Sequence, residues 1–319
     1  MNFVIFVIAM AALIWGADLL VRESERIAMK FNISEFVIGA TLIALGTSLP
    51  EMAASIAASA DGKPQIAIAN VIGSNILNIT LVLGTIFLIS KTINPDRDFF
   101  AKDSTWAIVP VFVFILMIFD GEVSRFDAML LLLLMAAYVM FLVREARGLI
   151  TAEIEDIKEE IEEEKQKDFL WIKSLPLILL GLILIIGGAS FTIDSASDIA
   201  RDFGISEWII GIIMISLGTS LPELVVSISA SVKGKVDMAI GNIIGSNMAN
   251  TTIVLGAAAL TNPMQINITD YLFDISTMLV ATMMLVFLTA NKLYTKPAGI
   301  SLFIVLGLFL DHTITAMSL

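Results

Sequence analysis

Two glutamates stand deep inside long apolar stretches, Glu51 about twenty residues into one and Glu223 about nineteen into another. A carboxylate at the centre of a hydrocarbon layer costs on the order of several kcal/mol, and neither can easily reach an interface. No lysine or arginine lies within either stretch to neutralise it. Each is therefore expected to be protonated or bound to a cation.

The surrounding residue types favour a cation. Pro50 and Pro222 have no N–H and clash with the carbonyl four residues back, which belongs to Gly46 and Gly218 respectively. Helix broken at membrane depth is tolerated where it is buried in protein or lines a cavity, and its freed carbonyls become oxygen ligands. Thr47, Ser48, Thr219 and Ser220 add hydroxyls beside the two carboxylates. On the next stretch of each half, Ser74 with Asn78 and Ser246 with Asn250 are spaced i, i+4, on one helical face. Carboxylates, carbonyls, hydroxyls and amides are hard oxygen donors, suited to Ca²⁺ and Na⁺ and poorly suited to Zn²⁺ or copper. The chain has no cysteine and one histidine, His312, so thiolate and histidine-rich metal sites are excluded. Asn75 and Asn247 are left unassigned, as residues that could join helices instead of binding ions. Asp18, Asp194 and Asp198 read as interfacial charges.

The elements that carry these residues are membrane spans. Hydrophobic residues make up 57% of 319 positions and charged residues 16%, with a mean hydropathy of +0.91, where a soluble domain carries roughly a quarter charged residues. Runs long enough to cross roughly 30 Å of hydrocarbon fall near 3–21, 32–59, 66–90, 104–119, 126–143, 174–199, 205–231, 238–260, 269–289 and 297–317. The first of them has no basic segment before it and reads as a retained span. The expected fold is an all-α membrane protein of ten transmembrane helices. Much of the net charge of −12 sits in one acidic stretch, Glu153 to Asp168, whose thin apolar stripe and lack of calcium-loop spacing predict a solvated linker helix.

The halves align without a gap at an offset of 172 residues, and 30 of 51 positions are identical between 34–84 and 206–256. Five spans per unit, an odd number, put the second copy into the membrane the opposite way up, the architecture of many secondary transporters. The organisation expected is a first five-helix repeat over 1–148, an acidic linker over 149–172 and a second repeat over 173–319. Sixteen of the lysines and arginines fall after spans 1, 3, 5, 7 and 9, and three elsewhere. That bias predicts both termini outside and the linker in the cytoplasm.

The motifs Gly46-Thr47-Ser48-Leu49-Pro50-Glu51 and Gly73-Ser74-Asn75-Ile76-Leu77-Asn78, with their second copies ending at Glu223 and Asn250, resemble the α-repeats of the cation/calcium exchanger superfamily. The resemblance covers essentially all ten spans, and it is to a prokaryotic sodium/calcium exchanger. It implies antiport of Ca²⁺ against several Na⁺ by alternating access, in a plasma membrane if the host is prokaryotic, with no cofactor and no nucleic-acid partner, and with a monomer as the functional unit. By resemblance, Glu51 and Glu223 would be shared ligands of both ions. Thr47, Ser48, Thr219, Ser220, Ser74 and Ser246 would complete the sodium sites with the carbonyls of Ala44 and Ser216, and spans 1 and 6 would slide as a gate. Some relatives carry an aspartate at the position of Asn78 or Asn250, potassium-dependent exchangers in the second repeat. Asparagine at both argues against potassium dependence and leaves two central carboxylates, which match one Ca²⁺. Three Na⁺, a number taken from the family, would make the exchange electrogenic. A proton/calcium antiporter of the same superfamily is the alternative. An intramembrane enzyme lacks a nucleophile with its base, and a channel has no need of two copies around one buried site.

Overall fold

The computed structural model describes residues 2–90, 93, 95–153, 171–203 and 218–317. The acidic stretch from 154 onward and the start of the second aligned stretch, 206–217, lie outside them.

Among the described residues, eight helices are long and apolar enough to cross a membrane, and a ninth candidate is a bent pair. In chain order, α1 is Asn2–Phe31, and the bent pair is α2, Glu35–Thr47, followed by α3, Leu49–Ala60, at 44° to it. Next come α4 (Pro64–Ile89) and α5 (Phe99–Asp120), then α6 (Arg125–Glu153). In the second half α7 is Trp171–Asp202, α8 is Leu221–Val232 and α9 is Val236–Thr261. The chain closes with α10, Ile268–Ala290, and α11, Lys296–Met317. Of the stretch expected near 205–231, the described part is the short apolar helix α8. One departure from an all-α chain is a two-residue antiparallel ladder, β1 (Glu122–Val123) with β2 (Met264–Gln265). It forms because Gly121, at a φ of +85°, turns its carbonyl to accept from Ile266 N at 2.8 Å.

The outer helices present apolar side chains outward, among them Phe3, Trp15, Leu116, Met140 and Ile183, as lipid-facing surfaces do. α1 packs along α7, with a Cβ at Gly188 of α7 falling 2.8 Å from Leu13 N of α1. α1 continues ten residues past its apolar run because Glu23, fully buried, is held by Arg26 at 2.9 Å and approached by Arg22 at 3.7 Å. At that end Asp18 pairs with Lys233, while Lys235 pairs with Glu25 and with Glu35, the latter at 2.8 Å.

Inside, α2 and α9 cross with their backbones in contact. A Cβ at Gly245 would lie 2.5 Å from the carbonyl oxygen of Ala40, and one at Gly39 would run into the carbonyl of Met238. Side chains at these two positions would separate the helices that hold the site, the use small residues commonly serve between membrane helices. α3 packs on the C-terminal part of α9, and α8 on the C-terminal part of α4.

A buried ionic cluster ties α5 and α6 to this centre. Arg97 grips Asp103 with two bonds, Nε to Oδ2 at 2.6 Å and Nη2 to Oδ1 at 3.0 Å. It also reaches Glu145 at 3.3 Å and lies 4.2 Å from the ring centroid of Phe36 in α2. Removing one member of such a buried pair strands the other, at about 3–5 kcal/mol. Arg97→Met is therefore expected to lower the thermal midpoint of the detergent-purified protein clearly, and Asp103→Asn in the same chain to recover part of the loss. Equal midpoints for wild type and Arg97→Met would remove the cluster from the stability of the fold.

Candidate cation site

The site is built at the ends of broken helices. α2 ends at Thr47, Ser48 turns (φ −84°, ψ 6°), and α3 restarts with Pro50 in its first turn. Proline fits that first turn because its missing N–H would be unpaired there anyway. Glu51 is thereby placed in the first turn of α3, and Glu223 in the first turn of α8 after Pro222. A helix N-terminus favours negative charge there. Both glutamates are buried, at 1% and 0% exposure.

The two halves meet at these turns. Ser48 Oγ donates to Glu223 Oε1 at 3.3 Å, and Ser74 Oγ lies 3.3 Å from Thr219 Oγ1. Thr47 Oγ1 lies 3.3 Å from the Ala44 carbonyl, which also accepts from Ser48 N at 3.0 Å. Asn78 donates its Nδ2 to Asn247 Oδ1 at 3.0 Å, so its own Oδ1, buried and without a donor, is the atom left over. Asn78 and Asn250 each open a widened π-helical turn, Asn78–Leu83 and Asn250–Val254, an irregularity frequent at functional sites.

What remains unpaired is oxygen-rich. Both carboxylate oxygens of Glu51, Oε2 of Glu223, the hydroxyls of Ser220 and Ser246, and both amide atoms of Asn250 are buried with no hydrogen-bond partner. Buried polar groups are normally paired, and an unpaired buried carboxylate is among the costliest exceptions. Among the described residues no group of three or more acidic, histidine or cysteine side chains gathers to hold a metal.

The structure thus joins Ser48 to Glu223 and Ser74 to Thr219 across the halves, buries Glu51 and Thr47 beside the Ser48 turn and Asn78 against Asn247, and leaves Ser220, Ser246 and Asn250 buried with side-chain atoms that have no hydrogen-bond partner. Ser216 lies outside the described residues. Asn75 donates to Thr251 Oγ1 at 2.7 Å, and Asn247 donates to the Asn75 carbonyl at 3.3 Å, so these two do join α4 to α9. His312 stacks on Phe273, ring centroids 3.7 Å apart. Asp198 pairs with Arg201 at 2.7 Å. Two residues escaped the sequence reading: Asn70, which donates to Ser55 Oγ at 2.9 Å, and Asn242, which donates to Ser227 Oγ at 2.9 Å. Their signal was their identity at the 172-residue offset, which they share with many residues that only pack.

A profile of the family described as sodium/calcium exchanger protein matches residues 1–144 and 173–314. The chain belongs to the sodium/calcium exchanger family. Within reach of this family match, the chain is 39% identical over 256 residues to an uncharacterized membrane protein of Methanocaldococcus jannaschii, covering 80% of each. It is 30% identical to the sodium/calcium exchanger MaX1 of Methanosarcina acetivorans, covering 91% of this chain and 92% of that one. Among solved structures, the sodium-calcium exchanger NCX_Mj soaked without Na⁺ and Ca²⁺ superposes with a TM-score of 0.80 at 31% identity, over 99% of this chain and 98% of the other. The exchanger chain is accordingly a multi-pass membrane protein and a transporter, not an enzyme. The stretch between the two matched parts of the family profile, 145–172, contains the acidic linker.

Proposed function

We propose that the chain is a secondary antiporter that exchanges Ca²⁺ for Na⁺ across the membrane by alternating access at one site. The observation that carries this reading is the set of buried oxygens with no partner, centred on Glu51 and Glu223, in a chain of the sodium/calcium exchanger family. Hard oxygens of this kind are the donors that Ca²⁺ and Na⁺ take. Glu51 and Glu223 supply two negative charges, enough to balance one Ca²⁺. Asn78 and Asn250 add amide oxygens, and Thr47, Ser48, Ser74, Thr219, Ser220 and Ser246 add hydroxyls. The carbonyls of Ala44 and Ser216 complete the donors for Na⁺. Because the same carboxylates serve both ions, occupancy by one excludes the other, and exclusion is what couples two opposed fluxes.

The architecture that fits this mechanism is ten spans in two inverted five-helix repeats, 1–148 and 173–319, joined by a cytoplasmic linker over 149–172, with both termini outside the cell membrane. Its support is the gapless internal alignment and the lysine and arginine bias. α1 and α7, packed along each other outside the site, are the pair that slides to open it to either side. A single chain contains the whole site, so a monomer suffices, and the mechanism calls on no cofactor.

Radioactive calcium uptake into proteoliposomes, at matched membrane potential, tests this reading. Uptake is expected with an outward sodium gradient and not with an outward proton gradient. Uptake driven by protons alone would replace sodium with the proton and recast both glutamates as proton carriers.

A further inference from the structure

Two asparagines outside the ligand set make the same unusual connection in both halves. Asn70, on α4, donates through Nδ2 to Ser55 Oγ at 2.9 Å and to the carbonyl of Glu51 at 3.2 Å. Its Oδ1 accepts from Thr219 Oγ1 at 3.3 Å. Asn242, on α9, donates to Ser227 Oγ at 2.9 Å and accepts from Thr47 Oγ1 at 3.4 Å. All three members of each set correspond at the 172-residue offset, yet the sets cross over. The asparagine of one half, anchored on its own half's serine, accepts from the threonine of the other.

A hydroxyl has one proton and two lone pairs. Beside a cation its proton must point away, or its dipole opposes binding. An amide oxygen fixed next to the hydroxyl takes that proton and leaves the lone pairs for the ion. The amide keeps its oxygen toward the threonine because its nitrogen is engaged on the other side. For Asn70 one of those partners, the Glu51 carbonyl, can only accept, which forbids the flipped arrangement. Thr47 has a second choice in the carbonyl of Ala44, 3.3 Å away. A hydroxyl turned to Ala44 would occupy a lone pair of that carbonyl, and one turned to Asn242 releases it.

We propose that Asn70 and Asn242 are positioning residues for sodium: each orients the hydroxyl of a threonine from the opposite half so that it can bind Na⁺, and Asn242 also leaves open the lone pair of the Ala44 carbonyl that Ser48 N does not occupy. This rests on the reading above that Thr47 and Thr219 are sodium ligands. Ca²⁺, balanced by the two carboxylates, depends far less on a hydroxyl dipole than Na⁺ surrounded mainly by neutral oxygens. The asparagines therefore set the relative preference for the two ions, and through their crossing they tie each half's sodium ligand to the other half's helices.

The test measures radioactive calcium bound to the purified full-length protein and the sodium concentration that displaces half of it. Asn242→Leu is expected to raise that sodium concentration about fivefold or more, the worth of roughly one hydrogen bond, with calcium affinity changed less than about twofold. Asn242→Ser, smaller and still polar, is too short to reach Thr47 and carries the same expectation should the leucine variant fail to fold. In a Thr47→Val background, Asn242→Ser is expected to add no further loss, since the hydroxyl it orients is already gone. Sodium and calcium affinities that fall together, or losses that add in the double variant, would overturn the proposal and make the asparagine a structural link. Wild type measured alongside keeps the two claims apart: sodium that cannot displace its calcium overturns the exchanger reading, and this proposal with it.

Discussion

Glu51→Gln and Glu223→Gln are each expected to lower sodium-driven calcium uptake by about 100-fold or more, in protein that still inserts and runs as a single species in detergent. Glutamine keeps the shape and one acceptor oxygen but removes half of the charge that balances a divalent ion. Breaking a buried charge pair from one side costs about 3–5 kcal/mol, and each 1.4 kcal/mol is tenfold in affinity. Folding should survive because the carboxylates contribute little to it. Both oxygens of Glu51 have no partner, and Glu223 has one, Ser48. Removing an uncompensated buried charge relieves a desolvation cost, so the thermal midpoint without ions is expected to stay level or rise. Flux within a few-fold of wild type in either variant would show that the glutamate in question is not a ligand.

Asn250→Asp is expected to change which ions are used far more than it changes stability. Asn250 is fully buried and neither amide atom has a partner, so its replacement by a group of the same shape breaks no hydrogen bond. The variant adds a third carboxylate to a buried centre that already has two, and like charges disfavour one another's ionised forms. The third group then either holds a proton, which makes transport pH-dependent, or draws in an additional monovalent cation. The check is calcium flux in Na⁺, with and without added K⁺, at several pH values. Ratios identical to wild type under all these conditions would place Asn250 outside the ligand shell.

Much of this was legible in the sequence because the bilayer leaves few choices: apolar runs of that length become helices. Helix existence was therefore readable, while interruptions were less so. Pro50 announced the break before Glu51, yet its location at Ser48 and its 44° angle depend on α2 and α9 packing together. The widened turns at Asn78–Leu83 and Asn250–Val254 have no sequence signature, because they answer to contacts between helices. α1 outran its apolar stretch for the same reason, since burying Glu23 between arginines is a tertiary event. The ligand candidates could be found because carboxylate, hydroxyl and amide recur together twice. Asn70 and Asn242 recur as well, but what they do becomes visible only when Thr219 and Thr47 arrive from the other half.

The central claim is that Na⁺ and Ca²⁺ share one site built on Glu51 and Glu223. Equilibrium binding of radioactive calcium to the purified protein, across a series of sodium concentrations, tests it most directly. The account predicts one Ca²⁺ per chain, complete displacement by sodium, and loss of binding in Glu51→Gln and Glu223→Gln alike. Calcium that stays bound at saturating sodium, or that survives the loss of either glutamate, would contradict it.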